Sequence, residues 1–489
     1  EEGLRKLVRD IVREFPDIQG YVLLTEGFWY KKWGGGHGAS AEYMKDWAQN
    51  WSRAVAIVAE ECHRVNPAIE ILPWEYNIDF RPQNVDMKRY FIQQLPEGTI
   101  PLLTWENGKS FEIDGFSGHL RDYAISQIGP AEVTQAQIKE ARQRGMKVYT
   151  NGDTFVCGAQ LQTVPYHPFP YQWYGRYQAM ESYGVNGTME SWTTGYSPSF
   201  MTELRGWYCW SEAPALDELL GAIAAREFGA DNRTAVLHAW RLFSQAIRLV
   251  PDTGPNMGTS SAIGNPLFFR EPPPRTARFT RSWTDEAAWT GYLGGGLNPY
   301  WPFTLSRLVF CPDFMNKTNR AESYARAVSG IEAAGETPVL PVFLKYLRLA
   351  TDKLEEGMKL YRAAALGSPY AKRQTALREV VIAEQIQRML ESNHAILEFE
   401  DLRLKLADER DKQRAAAIFD RMAVILREEI ERTELSLLAA TRDSRLGFQQ
   451  ECDYVYTPFS LQEKLKCLRD TLDRELSEAH KSHDSTINN

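Results

Sequence analysis

The chain has 489 residues, a hydrophobic content of 43%, a net charge of −8 and a pI near 5.7. This length and hydrophobic content allow a large core and more than one structural unit, while the acidic balance gives no basic footprint for nucleic acid. No stretch is long and apolar enough to span a bilayer, and the dispersed cysteines lack the spacing of a zinc site or a disulfide framework.

We therefore expect no nucleic-acid partner, no membrane partner and no cofactor. The first residues, Glu1 to Lys6, are typical of a helix and not of a signal peptide. These residues leave the compartment open, with a secreted or periplasmic location allowed, and the oligomeric state is open as well. The chain has no G-x-S-x-G, Walker or H-E-x-x-H motif, which weakens the common serine-hydrolase, nucleotide and zinc-protease classes.

Five short apolar runs in the first part of the chain each end on a carboxylate. Their acids, in chain order, are Glu26, Glu75, Glu106, Asp153 and Glu190. Helix-like segments lie between the runs, at residues 44–65, 87–94, 134–144 and 172–183. Strands that alternate with helices predict parallel strands joined by right-handed crossovers. In such folds the carboxyl ends of the strands meet at one mouth, so the five acids should converge there.

This order predicts an α/β fold, a (β/α)8 TIM-type barrel. A closed barrel of this type needs eight strands, and we count five after an opening helix at residues 4–15. The simplest interpretation is that strands one to three lie upstream and that the visible strands are four to eight. An open five-stranded sheet, or additional strands that the pattern does not reveal, are the alternatives.

Three regions are predicted from the change of pattern along the chain. Residues 1–250 form the barrel, residues 251–319 form a loop-rich segment associated with it, and residues 320–489 form an all-α C-terminal domain. The last region is predicted from long stretches of helical apolar spacing. The middle segment is rich in proline, glycine and aromatic residues, and such a long irregular stretch usually lines a site or wraps a domain.

Mouths rich in carboxylates and aromatic rings indicate sugar chemistry, because glycoside hydrolysis generally needs two carboxyl groups that flank the bond. Glu26 precedes Trp29 and a glycine run, and a neighbouring indole would raise the pKa of a carboxyl group by desolvation. We therefore predict Glu26 as the general acid. Asp153 or Glu106 is the predicted second carboxylate.

Aromatic rings near the strand ends suit the apolar faces of pyranose rings, although large α/β proteins also place tryptophan in their cores. The predicted sugar platform consists of Trp29, Trp74, Trp105, Trp192 and Tyr76. The predicted hydroxyl-binding residues are Glu75, Glu190, Asn107 and His37. Where a strand continues through a Trp-Glu pair, the two side chains should lie on opposite faces.

Several short segments resemble the barrel glycoside hydrolases of family 20 that carry a helical C-terminal extension. They are residues 15–20 with 24–26, 187–192, 219–221 with 226–229, 443–448 and 456–458. The resemblance implies that Glu26 is the acid at the end of strand four. It also implies an adjacent aspartate that orients the substrate acetamide, but Thr25 stands at that position. The resemblance therefore favours two enzyme carboxylates over substrate-assisted chemistry.

The sequence thus predicts a glycoside hydrolase that acts on an oligosaccharide or glycan. A separation of the two carboxyl groups of about 5 Å predicts retention of configuration, and one of about 6.5–9.5 Å predicts inversion. Two other classes remain open. One is a non-catalytic carbohydrate-binding barrel, and the other is a metal-dependent isomerase or lyase whose carboxylates hold Mg²⁺ or Ca²⁺.

Overall fold

A parallel sheet forms the centre of the N-terminal region. The computed structural model describes residues 1–25, 41–76, 84–120, 124–151, 161, 163–189, 198–251, 262–267, 269, 320–449, 453–454 and 456–488. Within these residues the sheet has five strands in the order β1-β2-β3-β6-β7. Their bounds are β1 Gly20–Leu24, β2 Glu70–Trp74, β3 Leu102–Thr104, β6 Tyr149–Asn151 and β7 Gly187–Met189. The five predicted strands and their parallel order are confirmed, whereas the closure of an eight-stranded barrel stays a prediction.

The strand register sets which side chains stand beside one another at the carboxyl edge. Leu24 lies opposite Trp74 across β1 and β2, and Thr104 lies opposite Asn151 across β3 and β6. Asn151 in turn lies opposite Met189 of β7. The ends of neighbouring strands are therefore close together along one edge.

Side chains alternate between the two faces of these strands, and the faces have different surroundings. One face, which includes Ile71 and Leu103, packs on the helices and belongs to the main hydrophobic core. The opposite face, which we call the inner face, carries a separate apolar cluster. This cluster consists of Leu72, Trp74, Tyr76 and Leu102, with Leu24, Tyr149 and Met189 packed against it.

Among the described residues, six helices accompany the strands: one precedes β1, four connect strands of the sheet, and one follows β7. They are α1 Glu2–Glu14, α2 Ala41–Val65, α3 Val85–Gln94, α4 Glu132–Gln143, α5 Pro170–Ser182 and α6 Phe200–Tyr208. The periodicity predicts the first five. Asn84 caps α3 through a hydrogen bond that its side chain accepts from the Met87 amide at 3.2 Å. Pro170 occupies the first turn of α5, where the missing amide hydrogen of proline costs no hydrogen bond.

A β-hairpin after β3 was not predicted. Its strands, β4 Ser110–Ile113 and β5 Phe116–His119, are antiparallel and are joined by Asp114 and Gly115, which both have positive φ. Asp-Gly is a strong signal for a two-residue hairpin turn. The short strand β8, Ile331–Glu332, pairs with the other side of β5. This hairpin therefore connects the N-terminal region to the residues that follow 320.

The remaining described elements are mostly helical, and those after residue 320 agree with the predicted helical C-terminal region. They are α7 Leu216–Phe228, α8 Arg233–Ile247, α9 Arg320–Ser329, α10 Leu340–Gly367, α11 Tyr370–Asp408, α12 Lys412–Arg442, the short strands β9 Phe448–Gln449 and β10 Asp453–Tyr454, and α13 Pro458–Asp470 and α14 Leu476–Asn488. Most of residues 251–319 lie outside the described residues. Among the described helices, none has the length and apolarity needed to cross a bilayer.

Helices α8 and α10 join the sheet region to the C-terminal region through aromatic packing. The Trp240 indole donates a hydrogen bond of 3.2 Å to the Tyr361 hydroxyl, and the Phe243 ring packs edge-on against the Tyr361 ring. A Cβ atom at Gly357 would lie 2.7 Å from the Phe243 ring, so the helices could not approach this closely with a larger residue. One continuous core therefore crosses the predicted boundary, and the division into three domains stays a prediction.

A largely buried carboxyl group lies at the same junction. Glu379 of α11 accepts a hydrogen bond from the Tyr166 hydroxyl. Burial raises the pKa of Glu379 from 4.5 to about 7, with repulsion from Glu227 in the same direction and opposition from Tyr166 and Arg445. The folded protein therefore keeps a proton on Glu379 over a pH range in which the unfolded chain releases it.

We expect Glu379 to make the protein less stable as the pH rises. Between about pH 4.5 and 7 the free energy of unfolding should fall by up to about 3 kcal/mol, because only the unfolded state loses the proton. Glu379→Gln keeps an acceptor for Tyr166 and removes the titration, so its stability should depend less on pH. Urea unfolding at pH 5 and pH 8 measures this difference. The exposed control Glu336→Gln should behave as the wild type, and an unchanged pH slope in Glu379→Gln would contradict the assignment.

Candidate functional site

The five predicted acids all follow strands of the one parallel sheet. Glu75 and Glu190 come directly after the last residue of their strands, and Glu26, Glu106 and Asp153 come two residues after theirs. Six of the predicted site residues lie outside the described residues. They are Glu26, Trp29, His37, Asp153, Glu190 and Trp192. The predicted pairing of Glu26 with a second carboxylate therefore stays a prediction.

Glu106 is held by a buried arginine. Its carboxylate pairs with the Arg176 guanidinium at 2.5 Å, and the side chains are 4% and 1% exposed. Arg176 comes from α5, where it also donates to the Ala124 carbonyl oxygen at 3.3 Å and lies over the Trp173 ring. The attraction between opposite charges holds the Glu106 side chain against Arg176 in this enclosed environment. A charged carboxylate can act as a nucleophile or a base, but it has no proton to donate.

Trp105 is completely buried and faces the helices. Its indole donates a hydrogen bond of 2.7 Å to the Ile128 carbonyl oxygen, and its own carbonyl oxygen accepts from the Ala131 amide. A Cβ atom at Gly129 would lie 2.6 Å from the indole nitrogen, so glycine is needed beside the ring. Trp105 thus fixes the segment that leads into α4. Its predicted role in sugar stacking stays a prediction and does not enter the proposal below.

Glu75 lies on the helix-facing side of β2, where it connects two helices. One carboxylate oxygen, Oε1, accepts from Lys88 of α3 at 2.8 Å and from Gln137 of α4 at 2.5 Å. The other oxygen, Oε2, is buried and has no donor among the described residues. Burial raises the pKa of Glu75, and Lys88 and Gln137 oppose the shift. Only Oε2 is therefore left for a contact with a ligand.

The inner face of the sheet carries aromatic and polar side chains at its carboxyl end. The Trp74 indole donates to the Thr104 hydroxyl at 3.1 Å, and the Tyr76 ring lies 4.5 Å from the Trp74 ring between centroids. Asn151 is 3% exposed, and its Oδ1 has no donor among the described residues. Asn107 is half-buried and precedes Gly108, which has positive φ in the turn after Glu106.

The sequence analysis missed four residues that the structure places near this edge, namely Lys88, Gln137, Asn151 and Arg176. Lys88 and Arg176 each stand on the buried face of a helix, three or four residues from apolar or aromatic neighbours. A charged residue at such a position must find a buried partner, and this signal was available. Among the described ranges, no group of three His, Cys, Asp or Glu side chains is placed to hold a metal ion.

Comparisons with known proteins leave the family of the chain open. No family model matches the sequence, and no curated protein matches it. A solved structure described as a GH138 enzyme targeting pectin rhamnogalacturonan II is similar with a TM-score of 0.45 and 10% identity. The match covers 99% of this chain and 63% of the other, so the chain spans less than two thirds of its neighbour. The more specific resemblance to family 20 has no counterpart in these comparisons.

The Glu106–Arg176 pair generates a prediction about stability. Arg176→Met leaves Glu106 buried beside an apolar side chain, which should lower the free energy of unfolding by about 3–5 kcal/mol. The double variant Glu106→Gln with Arg176→Met should recover part of this loss, because neither buried charge remains. Urea unfolding of the wild type, Arg176→Met, Glu106→Gln and the double variant measures the coupling.

Arg469→Met is the matched control, since Arg469 pairs with Glu434 on the surface with both side chains about half exposed. We expect a change of less than about 1 kcal/mol there. If Arg176→Met is equally mild, the pair is not a buried ion pair.

Proposed function

We propose that the chain is a glycoside hydrolase that cleaves a glycosidic bond in an oligosaccharide or glycan. The observation that carries this proposal is the alignment of five adjacent parallel strands, each followed within two residues by an acid. The carboxyl ends of parallel strands are where barrel enzymes build their active sites. Two carboxyl groups at such an edge are the minimal equipment for glycoside hydrolysis.

The two carboxyl groups have different tasks in this proposal. Glu26 protonates the leaving oxygen, since Trp29 and the glycine run that follow it in sequence favour a protonated carboxyl group. Asp153 or Glu106 is the nucleophile or the base for water. The ion pair with Arg176 supports Glu106 in that second role, because a guanidinium partner suits a carboxylate and not a proton donor.

The sugar would lie over the inner face of the sheet in this proposal. Asn151 supports this position, because its Oδ1 is buried without a donor and a substrate hydroxyl could supply one. Thr104 and Tyr76 would add polar atoms beside the Trp74 ring. The proposed binding set is completed by residues from the sequence analysis, namely Trp29, Trp192, His37, Asn107, Glu190 and Glu75, the last through its Oε2.

A second candidate is a carbohydrate-binding protein without hydrolytic activity. The observation that favours it is that the two described acids are both buried and bound to neighbouring side chains, Glu75 to Lys88 and Glu106 to Arg176. In that case the strand-end acids would only accept hydrogen bonds from sugar hydroxyl groups. Binding of an oligosaccharide by the wild type, without hydrolysis of any glycoside in a broad panel, would favour this candidate.

Glu26→Gln tests the proposed acid directly. We expect kcat to fall by about 10²–10⁴, because general acid catalysis contributes about that factor, while the urea unfolding curve stays unchanged. A panel of aryl glycosides and oligosaccharides first identifies a substrate of the wild type. NMR of the first product then reads retention or inversion, which indicates how far apart the two carboxyl groups lie.

The matched control is Glu97→Gln. Glu97 is exposed and precedes β3, at the opposite edge of the same sheet, so its loss should leave kcat unchanged. Near-normal activity of Glu26→Gln would remove Glu26 from the acid role.

A further inference from the structure

A cleft of about 240 Å³ lies between α10, α11 and α12, far along the chain from the strand-end acids. Its lining follows helical spacing. Arg348 comes from α10, residues 391–398 contribute from α11, and residues 421–432 contribute from α12. Residues three or four positions apart share one face of a helix, so each helix presents one stripe to the cleft. Such stripes between packed helices are normally apolar, whereas most side chains lining this cleft are charged or polar.

The three arginines of the cleft differ in their partners. Arg421 donates from Nε and Nη2 to both oxygens of Glu398 at 2.7 and 2.8 Å. The guanidinium of Arg348 makes no ion pair or hydrogen bond with the described residues, and it stands exposed at the rim. Arg432 donates from Nε to Glu429 at 2.8 Å, but its Nη2 is buried and finds no acceptor among the described residues.

Glu429 fixes the position of Arg432. Glu429 is completely buried and binds Arg432, the Lys464 ammonium at 2.5 Å and the Ser392 hydroxyl at 2.8 Å. One carboxylate thus holds two cations, and Glu391 and Glu428 also attract Arg432. A buried guanidinium N–H without an acceptor costs about 1–3 kcal/mol, and more for a charged group. An oxygen atom from outside the chain would remove that cost.

His394 lies among the charged side chains of the cleft. Burial, together with Arg348, Arg421 and Arg432 and against Glu398, lowers the pKa of His394 to about 4. The imidazole is therefore neutral at pH 7 and adds no charge to the cleft. The lining carries three arginines and three glutamates, so a ligand there meets both donors and acceptors.

Glu391 and Glu428 also line the cleft and supply hydrogen-bond acceptors. The Glu391 carboxylate accepts from Gln387 at 2.9 Å and keeps further acceptor capacity. Acceptors beside free arginine donors suit a ligand that carries hydroxyl groups as well as a negative charge. An inorganic ion or a neutral sugar would use only one half of this arrangement.

We propose that this cleft binds a small hydroxyl-bearing anion, a sugar carboxylate or a sugar phosphate, between the guanidinium groups of Arg348 and Arg432. Arginine suits both anionic groups, because its planar fork matches the paired oxygens of carboxylate and phosphate. The cavity has room for a molecule of several non-hydrogen atoms. The site is separate from the proposed glycosidase site and does not depend on it.

Isothermal titration of the full chain tests the proposal with four probes, namely galacturonate, galactose 6-phosphate, galactose and inorganic phosphate. Galacturonate or galactose 6-phosphate should bind with a Kd of about 1 mM or lower, and galactose should not bind. The two acidic probes distinguish a carboxylate site from a phosphate site. No binding of either acidic sugar at about 10 mM would overturn the proposal, and so would binding of inorganic phosphate alone.

Arg348→Gln tests the position of the site. Arg348 has no described partner, so the variant should fold as the wild type, and its affinity for the acidic sugar should fall at least about tenfold, a loss of about 1.4 kcal/mol. Arg427→Gln is the matched control, because Arg427 is exposed on another face of α12 and lies outside the cleft lining. Equal affinity of wild type and Arg348→Gln would place the ligand elsewhere and overturn the proposal.

Discussion

The alternation of side chains along the parallel strands is the constraint on which the candidate site depends. The chain has two Trp-Glu pairs, and their tryptophans lie on opposite faces of the sheet. The reason is that the alternation of side chains is shifted by one residue between β2 and β3. Trp74 ends β2 on the inner face, and Glu75 then faces α3 and α4. Trp105 instead packs among the helices, and Glu106 is bound by Arg176 of α5. A shared motif therefore does not imply a shared role.

Buried ion pairs recur where helices approach the carboxyl edge of the sheet or one another. Glu75 with Lys88, Glu106 with Arg176, and Glu429 with Lys464 all lie in enclosed positions. Buried charges repay the loss of hydration only when their geometry and their remaining hydrogen bonds are good. In each cluster one member leaves a polar atom without a described partner, namely Glu75 Oε2, Arg176 Nε and Arg432 Nη2. Each of these atoms can therefore form a further hydrogen bond.

Local periodicity was sufficient to predict the five strands, the helices between them and the helical C-terminal region, because apolar spacing reports which face each element buries. The β4–β5 hairpin was missed although Asp114-Gly115 signals a turn, since its strands are only four residues long and its third partner, β8, is far away in sequence. The partner of Glu106 was also missed. The helix pattern indicates that Arg176 needs a buried partner, but only the tertiary fold decides which acid it meets. The proposed catalytic pair depends on residues outside the described ranges, so the sequence remains its main support.

The small sheet of β4, β5 and β8 has a consequence for how the protein folds. His119 meets Glu332 across 213 positions of the chain, and β8 covers the edge of β5 that would otherwise expose unpaired backbone groups. During synthesis the edge of β5 that pairs with β8 therefore stays unpaired until more than two hundred further residues have been made. Contacts of such long sequence separation slow folding and extend the time during which an edge can pair with another chain. By supplying β8, the C-terminal region thus protects the small sheet from misassembly.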